Sequence, residues 1–371
     1  MPENRRKLCF INYDLSNMGG LNRVSASLAN ALAADYEVTV LSLYNRKDRV
    51  CYPLEPSIQV QTLFSDRDRY RTLLLGNFPA LRRFFRDHPM DVILLEGTYT
   101  VPYALTLRSI ARAPGGGRAK ILYHNHVSLS DQYHSPLLTL EHLLGSRLAD
   151  CTVTLTKRGL GDFQKKFHVA PGRMRCIYNW IDESIWPYTG VYDADSRKIL
   201  TVGRFETEKG YDLLVDAAEK VFAAHPDWEW HIYGDGVEFS NIQSLVKSRG
   251  LEGRLILQGA TDRMYEKYKE YAIYVLTSRR EGMPLVLLEA KANHLPVVSF
   301  NCVTGPDEMV QDGTDGYLIP PFDTGRMAEK ICALIDSPDR RSAFSQRSGD
   351  NLQQFRQSEI LSQWRGLIDA L

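Results

Sequence analysis

Residues 199–221 read ILTVGRFETEKGYDLLVDAAEKV. A short β-rich apolar run leads into a polar loop and then an amphipathic helical run, so the stretch predicts strand, loop, helix. The same alternation extends in both directions. Toward the C-terminus the strand candidates are WEWHIYG, RLILQG, YAIYVLTS and PVVSF. Toward the N-terminus they are KLCFINY, YEVTVLSLY, DVILLE, AKILYHNH, CTVTLT and RCIYN, with helix candidates LNRVSASLANALAA and LTLEHLLGSRLA between them. Strands separated by helical crossovers predict parallel sheets. The alternation breaks once, in the polar, turn-rich IDESIWPYTGVYDADSR of residues 181–197. The expectation is an α/β protein of two tandem doubly wound, Rossmann-like domains, 1–185 and 186–350. A last helix within 351–371 has no strand after it and is expected to cross back to the first domain. Two such sheets facing each other would leave a cleft at the carboxyl ends of their strands, where ligands of this architecture bind.

Composition narrows the class. The chain has 371 residues, with 45 basic and 45 acidic side chains, so nothing pulls it toward nucleic acid. The balance hides an asymmetry: residues 1–190 hold 24 Lys and Arg against 17 Asp and Glu, and residues 191–371 hold 21 against 28. The halves therefore carry +7 and −7. Six cysteines are scattered without a Cys-x-x-Cys or a zinc spacing, which suits reduced thiols in the cytoplasm. The start, MPENRRKLCFINYD, has no signal-peptide core, and no window approaches ~20 apolar residues.

Two constellations carry chemistry. In EGMPLVLLEA, residues 281–290, Glu281 lies in the loop leaving the YAIYVLTS strand. Pro284 suits a first helical turn, and Glu289 falls inside that helix. The helix mouth, with the N–H groups of Leu285 and Val286, is an anion site. Two carboxylates flanking a phosphate-binding mouth suit a ligand with hydroxyls on both sides of its phosphates, the shape of a nucleotide sugar. The bland alternative is a turn-forming Glu281 and a solvated Glu289. The second constellation is Arg204 at a strand end and Lys209 at the start of a helix. Cations there oppose the helix dipole unless an anion sits between them. The alternative is a surface salt-bridge set with Glu206 and Glu208.

At this point the chain resembles a known family. VGRFETEKGYDLLVDA, IYGDG, LQGATD, LTSRREGMPLVLLEAKANHLPVVSF and TGPDEMVQDGTDGYLI, in that order, look like the carboxyl-terminal domain of retaining GT-B glycosyltransferases of family 4, which includes many bacterial polysaccharide and glycolipid assembly enzymes. The resemblance runs nearly the whole chain and is densest over 198–320. It implies that Arg204 and Lys209 hold the donor's diphosphate, that Glu281 meets the donor sugar, and that Glu289 meets the ribose.

The first half is less diagnostic. In FINYDLSNMGGLNRVSASLANAL, Gly19 and Gly20 would let a phosphate or sugar approach the backbone, although a Gly-Gly pair is also an ordinary turn. His124 and His126 in ILYHNHVS share a strand face; they read as a core pair, as a metal pair lacking a third ligand, or as functional groups. The resemblance places His126 near the transferred sugar. Gly305 and Glu308 in GPDEMV are expected at the same cleft. DAD at 193–195 imitates a metal-binding Asp-x-Asp but lies in a linker and reads as a solvated turn, so no metal or cofactor is expected.

The reading is a retaining transferase moving a hexose or N-acetylhexosamine from a nucleotide sugar, with UDP as the expected nucleotide, to a polysaccharide or polyprenyl-diphosphate-linked saccharide. The rivals are a glycoside hydrolase, whose signature is also two carboxylates, and a non-catalytic GT-B subunit of a partner enzyme. The basic stretch RDRYRTLLLGNFPALRRFFRDHPM, residues 67–90, predicts an amphipathic helix from about Pro79. Its Arg82, Arg83 and Arg86, with Leu81, Phe84 and Phe85, would hold the protein peripherally on an anionic inner membrane face; the alternative is a crossover helix packed on its sheet.

Overall fold

The computed structural model describes residues 5–47, 49–64, 70–129 and 135–371, with backbone alone for 70–77. Within these the chain divides into two units, 1–178 with 361–371, and 179–360. In the first unit the strands are β1 (Lys7–Asp14), β2 (Glu37–Tyr44), β3 (Gln59–Phe64), β4 (Val92–Glu96), β5 (Lys120–Asn125), β6 (Cys151–Thr154) and β7 (Met174–Cys176). They lie in the order β3-β2-β1-β4-β5-β6-β7, every neighbouring pair parallel. The second unit repeats the design with β8 (Lys198–Val202), β9 (Glu229–Tyr233), β10 (Leu255–Gly259), β11 (Ile273–Leu276), β12 (Val297–Phe300) and β13 (Gly316–Ile319). Their order is β10-β9-β8-β11-β12-β13, again parallel.

Central strands such as VILLE and IYVL are buried along their whole length, because helices cover both faces of a parallel sheet. Each sheet builds outward in two directions from its first strand. The switch points therefore lie between β1 and β4 and between β8 and β11, where a doubly wound sheet opens a crevice at its strands' carboxyl ends.

The domain boundaries differ from the expected ones. The first unit ends at Tyr178 instead of 185, and the second continues to Ile360 instead of 350. The supposed linker is structured within the second unit. Ile185 is fully buried, the Ile181 amide donates to the Phe355 carbonyl at 2.9 Å, and Arg356 stacks on the Trp186 ring at 3.6 Å. These apolar anchors are aperiodic, so a pattern search passes over them. The last helix, Gln357–Ala370, contributes residues from Leu361 onward to the first unit. There the Tyr36 hydroxyl donates to Asp369 at 2.8 Å and Arg365 pairs with Asp35 at 2.8 Å.

The arginine-rich helix spans Tyr70–Asp87 and runs through Pro79 instead of starting there. Leu81, Phe84 and Phe85 are buried in the core of the first unit, while Arg82, Arg83 and Arg86 are exposed. The crossover alternative therefore describes this half of the helix, because every crossover must seal one face of its sheet. The side chains of Tyr70, Leu73, Leu74 and Leu75 lie outside the described residues. No helix is long and apolar enough to cross a membrane among the described residues.

Candidate active site

In the second unit, two loops interlock at the switch point between β8 and β11. Gly210 is left-handed at φ 64°, and a Cβ there would collide with the Thr277 carbonyl at the end of β11. Only glycine allows that approach. The Thr277 hydroxyl returns a hydrogen bond to the Lys209 carbonyl at 3.0 Å. This contact delivers Lys209 to the mouth of the β11 loop, where its Nζ meets Glu281 Oε1 at 2.7 Å. The Ser278 hydroxyl donates to the same oxygen at 2.6 Å, and the Thr304 hydroxyl donates to the Glu281 carbonyl at 2.5 Å. Gly305, at φ 102°, packs its bare Cα against Pro284 and so locks the TGP loop onto the loop that carries Glu281.

Pro284 caps the helix Leu285–Ala292. The Leu287 amide is the first to bond back, to the Pro284 carbonyl at 2.9 Å, so the amides of Leu285 and Val286 open the helix mouth. Glu289 is inside the helix as expected and is only 5% exposed, so it is not a solvated surface residue. It accepts a hydrogen bond from the buried Tyr268 hydroxyl at 2.8 Å; burial and the adjacent carboxylate push that hydroxyl far above its ordinary range, and it remains a donor. Two residues later, Lys291 Nζ is fully buried on Asp315 at 2.5 Å and on the Met309 carbonyl at 2.6 Å. Glu308 belongs to the short helix Pro306–Met309 that this lysine anchors.

Arg204 stands two residues beyond β8. Gly234 and Gly236 shape its loop, since a Cβ at either would collide with the carbonyls of Gly203 and Phe205. Its guanidinium is more than half exposed and bonds Glu206 at 3.1 Å, while Glu208 pairs with Arg280 at 3.1 Å. The structure thus brings Lys209, Glu281 and Ser278 together and leaves Arg204 in the surface pairing weighed as its alternative. Asp193 and Asp195 are exposed, and the Asp195 amide donates to Asp193 Oδ1 at 2.9 Å, which is a turn.

In the first unit, Gly19 and Gly20 follow β1 at its carboxyl end, and Gly20 opens the helix Gly20–Leu32. Asn22 moulds this loop by donating to the carbonyls of Asp14 and Asn17, each at 2.8 Å. Gly19 is extended, and nothing lies within 4 Å of a Cβ built on either glycine. The backbone there borders open space.

His124 and His126 do share a face, and they share it with a residue the sequence reading did not single out. Glu96 ends β4, and parallel pairing places it beside His124. Glu96 Oε2 lies 2.7 Å from His126 Nε2 and 3.1 Å from His124 Nδ1, with all three side chains at most 5% exposed. Burial alone would raise the Glu96 carboxyl, but the two imidazoles outweigh it and hold it at about 2. Burial, and His124 beside it, push the His126 imidazole down to about 4 against the pull of Glu96. The group at neutral pH is therefore a carboxylate with a neutral His126. Trp364, from the last helix, meets the His124 ring edge-on at 4.9 Å. Among the described residues these three also form a group whose donor atoms could hold a cation, lying within 4.8 Å of one another. The missed signal was a charged residue closing an otherwise apolar central strand.

Comparisons with known proteins agree with this architecture. The family model Glycosyltransferase Family 4 matches residues 18–185, and Glycosyl transferases group 1 matches residues 190–350. The chain is 26% identical over 369 residues to a protein of Haemophilus influenzae named as an uncharacterized glycosyltransferase, covering 98% of this chain and 100% of that one. It is 25% identical over 368 residues to the amylovoran biosynthesis glycosyltransferase AmsD of Erwinia amylovora, covering 98% and 99%. Among solved structures, a mutant of S. aureus TarM in complex with fondaparinux, alpha-GlcNAc-glycerol and UDP superposes with a TM-score of 0.81 at 15% identity, covering 98% and 99%.

Proposed function

Because the chain belongs to the GT-B glycosyltransferases, we propose that it transfers a hexose or N-acetylhexosamine from a UDP-sugar to a polysaccharide or lipid-linked saccharide, with retention and an α-linked product. The observation that carries this reading is the meeting of Lys209, Glu281 and Ser278 in front of the Leu285–Ala292 helix mouth. A diphosphate leaves readily, so the site has to stabilise the charge that develops as the glycosidic bond breaks. Lys209, the amides of Leu285 and Val286, and Arg204 once it turns from Glu206 supply donors for that charge in place of a divalent ion. Glu281 faces the sugar and Glu289 the ribose. In same-face transfer, the bond from the anomeric carbon to the phosphate oxygen breaks as the acceptor oxygen bonds that carbon. The acceptor's proton passes to the departing phosphate oxygen.

The relatives support the substrates. AmsD is named for amylovoran biosynthesis, and TarM was crystallised with UDP and an α-linked GlcNAc. A membrane-held acceptor is supported by a surface of the first unit other than the arginine-rich helix. Along the helix Pro136–Leu148, Leu137, Leu140 and Leu144 are exposed in one stripe, and Leu105 is exposed on the helix Ala104–Ile110 that packs beside it. Around the stripe's end, Arg108 donates to the Leu148 carbonyl, Arg147 to the Phe167 carbonyl and Arg173 to the Arg147 carbonyl. Apolar side chains bordered by arginines fit an anionic lipid surface.

The experiment is a binding and transfer screen of UDP-, GDP- and ADP-sugars, with and without EDTA. UDP-sugar binding and EDTA-resistant transfer with an α product are expected. A β product rules out retention, and strict magnesium or manganese dependence refutes the metal-free clamp. Release of free sugar without nucleotide identifies a hydrolase.

A further inference from the structure

We propose that Glu96 is a positioning residue. Its carboxylate accepts from His124 and His126 together, fixing His126 as the Nε2–H tautomer so that Nδ1 presents a lone pair to a hydroxyl of the bound sugar. The proposal rests on the reading that His126 faces the transferred sugar.

An ionised carboxylate can only accept hydrogen bonds, so the ring nitrogens 2.7 Å and 3.1 Å from Glu96 Oε2 must both carry hydrogens. In a neutral imidazole the second nitrogen is then an acceptor. For His126 that nitrogen is Nδ1, which has no hydrogen bond among the described residues. For His124 it is Nε2, which is buried without a hydrogen-bond partner. Leaving such an atom unpaired is costly, and the cost is borne at a residue that cannot reach solvent. What the arrangement secures is the orientation of His124 Nδ1–H and, through it, of the carboxylate. Trp364 packs edge-on against the His124 ring at 4.9 Å, so the chain's last helix adds to the support.

The same three side chains resemble a metal-ligand set, but the distances favour hydrogen bonds. A cation held between oxygen and nitrogen ligands sits ~2.0–2.2 Å from each. A direct oxygen–nitrogen separation of 2.7 Å is that of a charge-assisted hydrogen bond.

The test compares Glu96→Gln, His126→Ala and wild type. Glutamine keeps the shape, but its amide NH2 takes the place of Oε1, 3.4 Å from His124 Nδ1, and opposes the hydrogen on that nitrogen, while its one oxygen is an uncharged and weaker acceptor for both rings. The readouts are donor kcat/KM, acceptor KM, the nitrogen NMR shifts of His126, and metal content of the purified protein. Expected for Glu96→Gln is a fall in donor kcat/KM of ~10–100-fold, the scale of lost supporting partners, with acceptor KM unchanged. Expected also is a pure Nε2–H tautomer in wild type that becomes mixed in the variant. If His126→Ala abolishes transfer while Glu96→Gln preserves both rate and tautomer, the proposal is overturned and the role of His126 stands. If His126→Ala turns over like wild type, the role of His126 falls and the proposal with it. One equivalent of bound metal lost in both variants also overturns it, since the rings would then be ligands.

Discussion

Glu281→Gln should tighten UDP binding while it slows transfer. Lys209 Nζ and Glu281 Oε1 are 2.7 Å apart, with their side chains 21% and 10% exposed, so the lysine proposed to hold the diphosphate is already paired with a carboxylate. Two unit charges about 4 Å apart attract by about 4 kcal/mol at an effective dielectric of ~20. Desolvation returns much of that, leaving a net of about 1–2 kcal/mol for this largely buried pair. A phosphate must compete for Lys209 with that partner and must also tolerate the carboxylate nearby. Glutamine keeps an oxygen for Ser278 and Lys209 but removes the charge. UDP should therefore bind ~5–30-fold more tightly to Glu281→Gln, the equivalent of about 1–2 kcal/mol. Transfer should fall by at least ~10²-fold, because Glu281 is assigned to the reacting sugar.

The assay is calorimetric titration of UDP into wild type, Glu281→Gln, Lys209→Met and the double variant, repeated at high salt. Lys209→Met should weaken UDP, and in its background Glu281→Gln should no longer give the full gain. Added salt should shrink the gain, since screening weakens partly exposed charges first. If Glu281→Gln weakens UDP as much as Lys209→Met does, the carboxylate holds the lysine in place for the nucleotide and does not compete with it.

Two further outcomes follow from the first unit. The protein should cosediment with anionic but not neutral vesicles at low salt, and Leu137→Ser with Leu144→Ser should abolish this; unchanged cosedimentation of that variant would clear the leucine stripe of the role. Stability to urea should be full above pH ~6.5 and fall as the pH drops toward 4, because His126 and His142 are held at about 4 by burial while unfolded imidazoles protonate near ~6.5. Each contributes on the order of 3 kcal/mol across that window, and stability that rises on acidification would refute it.

The doubly wound plan was legible in the sequence because central parallel strands are apolar throughout. The edges were not. β3, QVQTLF, is half exposed and alternates glutamines with apolar residues, so it reads as a loop until β2 pairs with it. β13, GYLI, is four residues long and was legible only as part of a motif. Site residues divided in the same way. Glu281 and Glu289 announced themselves as charges beside an apolar helix, and Lys209 as a cation where a helix dipole disfavours one. Their mutual contact was hidden, because residues 72 apart meet only once Gly210 lets one loop touch the backbone of another. Glu96 was hidden for a similar reason. Its partners lie on the neighbouring strand and just beyond it, and register alone brings them together.

Both units place a glutamate at the carboxyl end of the strand across the switch point, β4 in one and just past β11 in the other. In each, protein donors already occupy it: two imidazoles on Glu96, and Lys209 with Ser278 on Glu281. An unpaired carboxylate so little exposed would either protonate or pull its loop toward water. Pairing it within the fold keeps it ionised and fixed before any ligand arrives. A ligand then meets oriented donors and acceptors instead of solvent that must be rearranged, and in such sites preorganisation of this kind supplies the larger share of charge stabilisation. The buried Lys291–Asp315 pair extends the principle to the scaffold. By tying the Leu285–Ala292 helix to the Met309 carbonyl and to Asp315, it fixes the height of the helix mouth relative to Glu281.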